Sequence, residues 1–236
     1  MTRLFQGGCF GVLKEERRSH AYARFLSLYS SLSDASRKET FTYEKMFLIV
    51  KRVEVLRTIQ AYAELKGLRF LVIGGHAVNC FGLARQTGDI DLLVERDNAS
   101  NWTELLVKLD YRPGQNDSRF ARFRSSYLAA WPIDLMFVDS STFEKMYAES
   151  LAFEIGVSRV KVVSARHLVV LKLHALKVYQ ESRYLKDYND LTGLMRAGKA
   201  VFEESEFRDL CVRYASLELF NKVSEELKLW KIEKNL

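Results

Sequence analysis

Two aspartates, Asp89 and Asp91, follow a glycine pair, Gly74-Gly75, after thirteen intervening residues. The alternation Asp89-Ile90-Asp91-Leu92 predicts a strand that carries both carboxylates on one face. Two carboxylates converging on one point offer the hard oxygen ligands that Mg²⁺ takes. The glycine pair stands between a short apolar run, residues 69–73, and a short helix expected over residues 76–81. Such a turn presents backbone N–H groups to a phosphate, and the missing side chains let the backbone approach closely. A third carboxylate on a neighbouring strand would complete a two-metal site for phosphoryl or nucleotidyl transfer. Asp134 is the leading candidate, with Ile133, Leu135 and Phe137 on the opposite, core-facing side of its strand. Asp139 is the weaker one, because Ser140 and Ser141 give it a turn-like neighbourhood at the strand end. An isolated Asp-x-Asp is most often solvated surface. The glycine pair at this distance reverses that reading.

Gly74-Gly75, Arg85, Thr87, Asp89 and Asp91 together resemble the signature of the polymerase-β-like nucleotidyltransferases. More narrowly, they resemble the abortive-infection (AbiEii-type) toxin nucleotidyltransferases. The resemblance continues through Leu171-Lys172-Leu173-His174-Ala175-Leu176 and Lys186-Asp187 to Asp190-Leu191, and covers roughly residues 50–195. It implies transfer of an NMP from an NTP to a hydroxyl of a macromolecule, a tRNA end or a protein, by an enzyme restrained by a cognate antitoxin. It also implies Mg²⁺ on Asp89, Asp91 and Asp134, phosphates cradled by Gly74 and Gly75, Lys172 against the triphosphate and a functional acid at Asp190. Arg85 could touch the triphosphate or the base and Thr87 could fix the turn, or both could simply brace it. Lys172 also stands on its own chemistry. Its helical neighbours Leu168, Val169, Ala175 and Leu176 place it beside a buried stripe. A buried ammonium needs a partner, so either a triphosphate meets it or its stem reaches solvent. For Asp190 the plain alternative is a surface pair with Lys186, worth only ~0.2–0.5 kcal/mol.

These residues need elements to hold them. A helix is expected from Glu44 through Ile49, Val53, Leu56, Ile59 and Ala63, ended by Gly67. Strands are expected at residues 69–73, 89–94, 119–124, 129–138 and 159–163, a helix at 98–109, and a turn at Arg112-Pro113-Gly114. Pro132 suits an edge strand or a strand beginning. Arg112, Arg119, Arg122 and Arg124, interleaved with Phe120 and Phe123, read either as a charged edge strand or as a surface for RNA. Ser164 caps a very apolar helix to about residue 179, and two or three more helices follow, with Gly193 and Gly198 marking breaks. Cys80 and His174 read as core residues.

The fold class is therefore α/β (α+β), a small mixed-sheet core followed by a C-terminal helical domain. The expected boundaries are an N-terminal extension over 1–43, a core over 44–163 and helices over 164–236. The chain of 236 residues carries a net charge of +6, which tolerates a polyanionic partner without demanding one. Three widely spaced cysteines form no disulfide framework, the four histidines form no zinc motif, and no apolar run reaches the ~20 residues of a membrane span. The protein is expected in the cytoplasm. Two rival readings share the same motif: a drug-modifying nucleotidyltransferase acting on an aminoglycoside- or lincosamide-like hydroxyl, and a non-catalytic binding module of the same fold.

Overall fold

The computed structural model describes residues 54–125, 130–177 and 181–234. The extension expected over 1–43, and the first turns of the helix expected from Glu44, lie outside the described residues. Leu56, Ile59 and Ala63 share one face of α1 (Glu54–Leu65) and are buried. Gly67 ends that helix in the left-handed conformation, at φ +64°, while the Leu68 N–H turns back to the Ala63 carbonyl.

The strands follow as β1 (Phe70–Val72), β2 (Ile90–Glu95), β3 (Tyr111–Asn116), β4 (Phe120–Ser125), β5 (Ile133–Val138), β6 (Leu151–Ile155) and β7 (Ser158–Val162). They form one mixed seven-stranded sheet in the order β3-β4-β5-β2-β1-β7-β6. Helix α2 (Gly74–Cys80) leaves β1, α3 (Ala99–Lys108) links β2 to β3, and α4 (Ser140–Ala148) follows β5. From Ala165 the described chain is helical: α5 (Ala165–Lys177), α6 (Glu181–Arg196), α7 (Glu204–Tyr214) and α8 (Leu217–Glu233). No helix among the described residues is long and apolar enough to cross a membrane.

The two central strands set the site. β2 and β5 run parallel with Asp91 directly opposite Asp134, so one face carries Ile90, Leu92 and Val94 beside Ile133, Leu135 and Phe137. All six are at most 5% exposed, and Trp102 of α3 meets Phe70 edge-on at 5.9 Å on that side. Strand alternation then puts Asp91 and Asp134 together on the other face. Pro132 sits just before the central strand β5, where its missing N–H costs nothing and its carbonyl accepts from Ile90.

Four local expectations change. Residues 112–114 lie inside β3 rather than in a turn: Arg112 and Pro113 pair with Arg124 and Phe123 of β4, and the Pro-Gly signal shows instead as a register shift in the ladder between Pro113 and Asn116. β4 is flanked by β3 and β5, so it is no edge strand. Gly193 does not break α6. It leaves room for Leu83, whose Cδ2 would stand 2.5 Å from a Cβ there. His174 is exposed on α5 rather than in the core.

Candidate active site

The first β-strand delivers the chain to the glycine pair, and the pair is walled on both sides. A Cβ on Gly74 would lie 1.9 Å from Asp91 Oδ2, and the residue holds φ +63°. A Cβ on Gly75 would lie 1.7 Å from the Arg85 Nη1 and 2.6 Å from Thr87 Oγ1. Glycine is thus required here by close approach on both flanks and, at Gly74, by backbone conformation as well. Thr87 donates its hydroxyl to Asp89 Oδ1 at 3.1 Å, which fixes that carboxylate. Asn79 staples the same loop: its amide donates to the Arg85 carbonyl at 2.9 Å and accepts from the Arg85 N–H at 2.8 Å. Nothing in the sequence singles out Asn79 except a lone amide among the apolar residues of a short helix.

Asp89, Asp91 and Asp134 converge. Each offers a carboxylate oxygen, and the three oxygens lie within 4.8 Å of one another. Burial, then the charges of Asp89 and Asp134, push the Asp91 carboxyl up to about 6, against the opposing pull of Lys172 and Arg183. Three carboxylate oxygens converging on one point fit a divalent cation with oxygen ligands, and suit Mg²⁺. Asp139 stands apart from the cluster. It caps α4, accepting from the Thr142 N–H at 2.8 Å and from the hydroxyls of Ser141 and Thr142. Those donors hold its carboxyl well below the usual range.

Arg122 is the residue the sequence did not place. It lies directly opposite Asp134 across the β4–β5 pair and grips it bidentately: Nε donates to Oδ1 at 2.8 Å and Nη2 to Oδ2. A register of Arg122, Asp134 and Asp91 across three strands becomes readable only once β4 is known to neighbour β5.

Lys172 is buried, 6% exposed, as its helical position predicts. Its partners within the chain are carboxylates: Asp187 at 2.6 Å and Asp190 at 2.6 Å, both from α6. Asp190 also meets Arg85 Nε at 3.2 Å. Lys186 is exposed and takes no part. A charged chain therefore runs from α6 through Lys172, Asp190 and Arg85 to the back of Gly75. His76 is buried and packs tilted against Trp131, with ring centroids 4.6 Å apart and 36° between planes. Burial, aided by the Arg85 charge and opposed by Asp89, lowers its pKa.

The site is polarised along the sheet. The glycine turn lies on the β1 flank of β2, and Asp134 with Arg122 lies on the β5–β4 flank.

Comparison with known proteins speaks to the family and the fold. A family model described as nucleotidyl transferase AbiEii toxin, type IV toxin–antitoxin system, matches residues 57–228. The solved structure of ANT(2″)-Ia in complex with adenylyl-2″-tobramycin is 16% identical, with TM-score 0.51, covering 69% of this chain and 98% of that one. An antigenic nucleotidyltransferase-like protein from Paracoccidioides brasiliensis is 15% identical, with TM-score 0.49, covering 77% and 89%. MenT4, a nucleotidyltransferase toxin from Mycobacterium tuberculosis H37Rv, is 15% identical, with TM-score 0.38, covering 68% and 62%. At such identities the first of these likenesses establishes the fold alone. No curated protein sequence matches the chain.

Proposed function

The chain belongs to the AbiEii nucleotidyltransferase toxin family, and from that premise we propose that it moves an NMP from an NTP to a hydroxyl at the end of a tRNA, with a cognate antitoxin as its restraining partner. The observation that carries the reading is the convergence of Asp89, Asp91 and Asp134 beside a glycine turn. The three carboxylates would hold Mg²⁺. When bound, the ions neutralise triphosphate charge and polarise the phosphorus under attack.

The chain's own residues do the rest by position and charge. Backbone N–H groups at Gly74 and Gly75 receive the β- and γ-phosphates. Arg85, packed against Gly75, adds positive charge on that flank, and Thr87 keeps Asp89 turned inward. Lys172 and Asp190 act from beneath: Asp190 holds Arg85, while the Lys172 charge favours the ionised form of Asp91. Asp134, oriented by Arg122, receives the attacking hydroxyl on the opposite flank. The hydroxyl oxygen bonds to the α-phosphorus as the bond to pyrophosphate breaks, and the hydroxyl proton leaves to the carboxylate cluster. With NTP and tRNA as substrates, the protein works in the cytoplasm.

The test incubates the purified protein with Mg²⁺ and each α-³²P-labelled NTP, adding total tRNA, total protein or neither, beside an Asp89→Asn/Asp91→Asn variant. Label on tRNA that the variant loses is the expected result, and it names the nucleotide. Label on protein alone would move the acceptor class. Absence of label from every macromolecule would overturn the reading and favour a small-molecule acceptor or a binding module.

A further inference from the structure

Beyond the carboxylates, the same face of the sheet carries three arginines in a line. Arg122 and Arg124 are two residues apart on β4 and so share a face. Arg112 of β3 lies directly opposite Arg124, which brings it onto that face as well. The line therefore starts at Asp134, passes through Arg122 and Arg124, and ends at Arg112 on the sheet edge. Arg122 is spent on Asp134. Arg112 and Arg124 are exposed, and neither has an ion-pair partner among the described residues.

Stability does not ask for this arrangement. Like charges directly opposite each other across an antiparallel pair are destabilising. Protecting a sheet edge does not ask for it either, since Arg124 stands on β4, which has neighbours on both sides. What lies beside the pair decides its use. Asp134 marks the flank of the cluster away from the glycine turn, where the acceptor hydroxyl must arrive if the triphosphate occupies the turn. An acceptor continuing outward from that hydroxyl crosses Arg124 and then Arg112.

We propose that Arg124 and Arg112 form the docking track for the acceptor, and that the acceptor is a polynucleotide whose backbone phosphates they contact. The proposal rests on the nucleotidyltransferase reading of the site and deepens it. The track favours polyanions: two unpaired guanidiniums bind phosphate oxygens well and repel a polycationic aminoglycoside. Contacts to phosphates position a strand without reading its sequence, so selectivity among RNAs must come from elsewhere on the molecule.

The test measures binding of 5′-fluorescein-labelled tRNA by anisotropy across a salt series, for the wild type and an Arg112→Gln/Arg124→Gln variant. Melting temperature serves as the folding check. Each lost phosphate contact should lower the slope of log K against log salt by about 0.7–0.9, so the double variant should lose about 1.5 and bind about tenfold more weakly. An Arg112→Lys/Arg124→Lys variant should keep most of the slope, because point charges still release counterions. If the wild type labels tRNA while the Gln variant binds it with unchanged affinity and slope, the track is wrong and nucleotidyl transfer stands. If the wild type labels protein and does not bind tRNA, the polynucleotide acceptor falls while the chemistry survives. If it neither binds tRNA nor transfers an NMP to any macromolecule, both fall.

Discussion

Asp91 carries an electrostatic cost in the metal-free site. Its carboxyl is raised from 3.8 to about 6 by burial and by two neighbouring carboxylates. An acid whose folded value lies above its unfolded one stabilises fully below about pH 4, and that contribution is lost as pH rises through about 6. Each pH unit between the folded and unfolded values is worth about 1.4 kcal/mol. Asp91→Asn should therefore stabilise the metal-free protein by about 1–3 kcal/mol at pH 7.5 and change little at pH 4. The same variant should abolish transfer. Thermal melts at the two pH values check this, and an unchanged or lower melting temperature at pH 7.5 would contradict it. Mg²⁺ should raise the wild-type melting temperature more at pH 7.5 than at pH 5. Arg122 makes the opposite case. Arg122→Ala strands the buried Asp134, but the guanidinium is one-third exposed, so the loss should be only about 1–3 kcal/mol. Excess Mg²⁺ should restore part of the melting temperature while kcat stays down by about a hundredfold, because the carboxylate has lost its orientation. Arg122→Lys, with a point charge in place of a fork, should fall between.

At the scale of elements, the glycine turn and the α5–α6 tie do different work. Gly74→Ala would combine a left-handed backbone, worth about 1–3 kcal/mol of strain, with overlap of the Asp91 carboxylate. Activity should be lost, with a melting temperature several degrees lower. Lys172→Met leaves Asp187 and Asp190 buried without their shared cation and should cost about 3–5 kcal/mol. Adding Asp187→Asn and Asp190→Asn should recover most of that stability. Transfer should not recover with it, since Arg85 loses Asp190 and Asp91 loses the Lys172 charge. Recovery of transfer along with the melting temperature would show the triad to be structural only. This tie also marks where the sequence stops being legible. Helical spacing places Lys172 on the buried stripe, but the identity of its partner depends on how α5 meets α6. The alternation in β2 and β5 makes the three-acid cluster legible, because period two assigns faces without knowledge of neighbours. Arg122 stays hidden for the converse reason: its partner is set by strand order. In β3, Pro113-Gly114 is a strong local turn signal that the structure expresses as a register shift within the β3–β4 ladder, not as a turn. Helix α4 escapes a reading of the sequence because Asp139-Ser140-Ser141 serves a helix cap as readily as a turn.

Across the whole molecule the sheet acts as a ruler. Its order sets the glycine turn on one flank of β2, the three clustered acids in the middle and the arginines on the other flank. The fold class is readable in advance because strand-like and helix-like segments separate along the chain, with helices and no strands among the described residues from Ala165 on. The polarity of the site is not, since it depends on the crossover that lays β5 beside β2. Under the proposed reaction, that polarity would set which phosphate moves: the one nearest the acids would be transferred, and the two at the glycines would depart. The most direct test runs parallel reactions with Mg²⁺, acceptor and NTP labelled at either the α- or the γ-phosphate. The α-label should become covalently bound to the acceptor while the γ-label is released as pyrophosphate, and Asp89→Asn/Asp91→Asn should abolish both. Transfer of the γ-label, or transfer of the α-label undiminished in the variant, would contradict this assignment of the site.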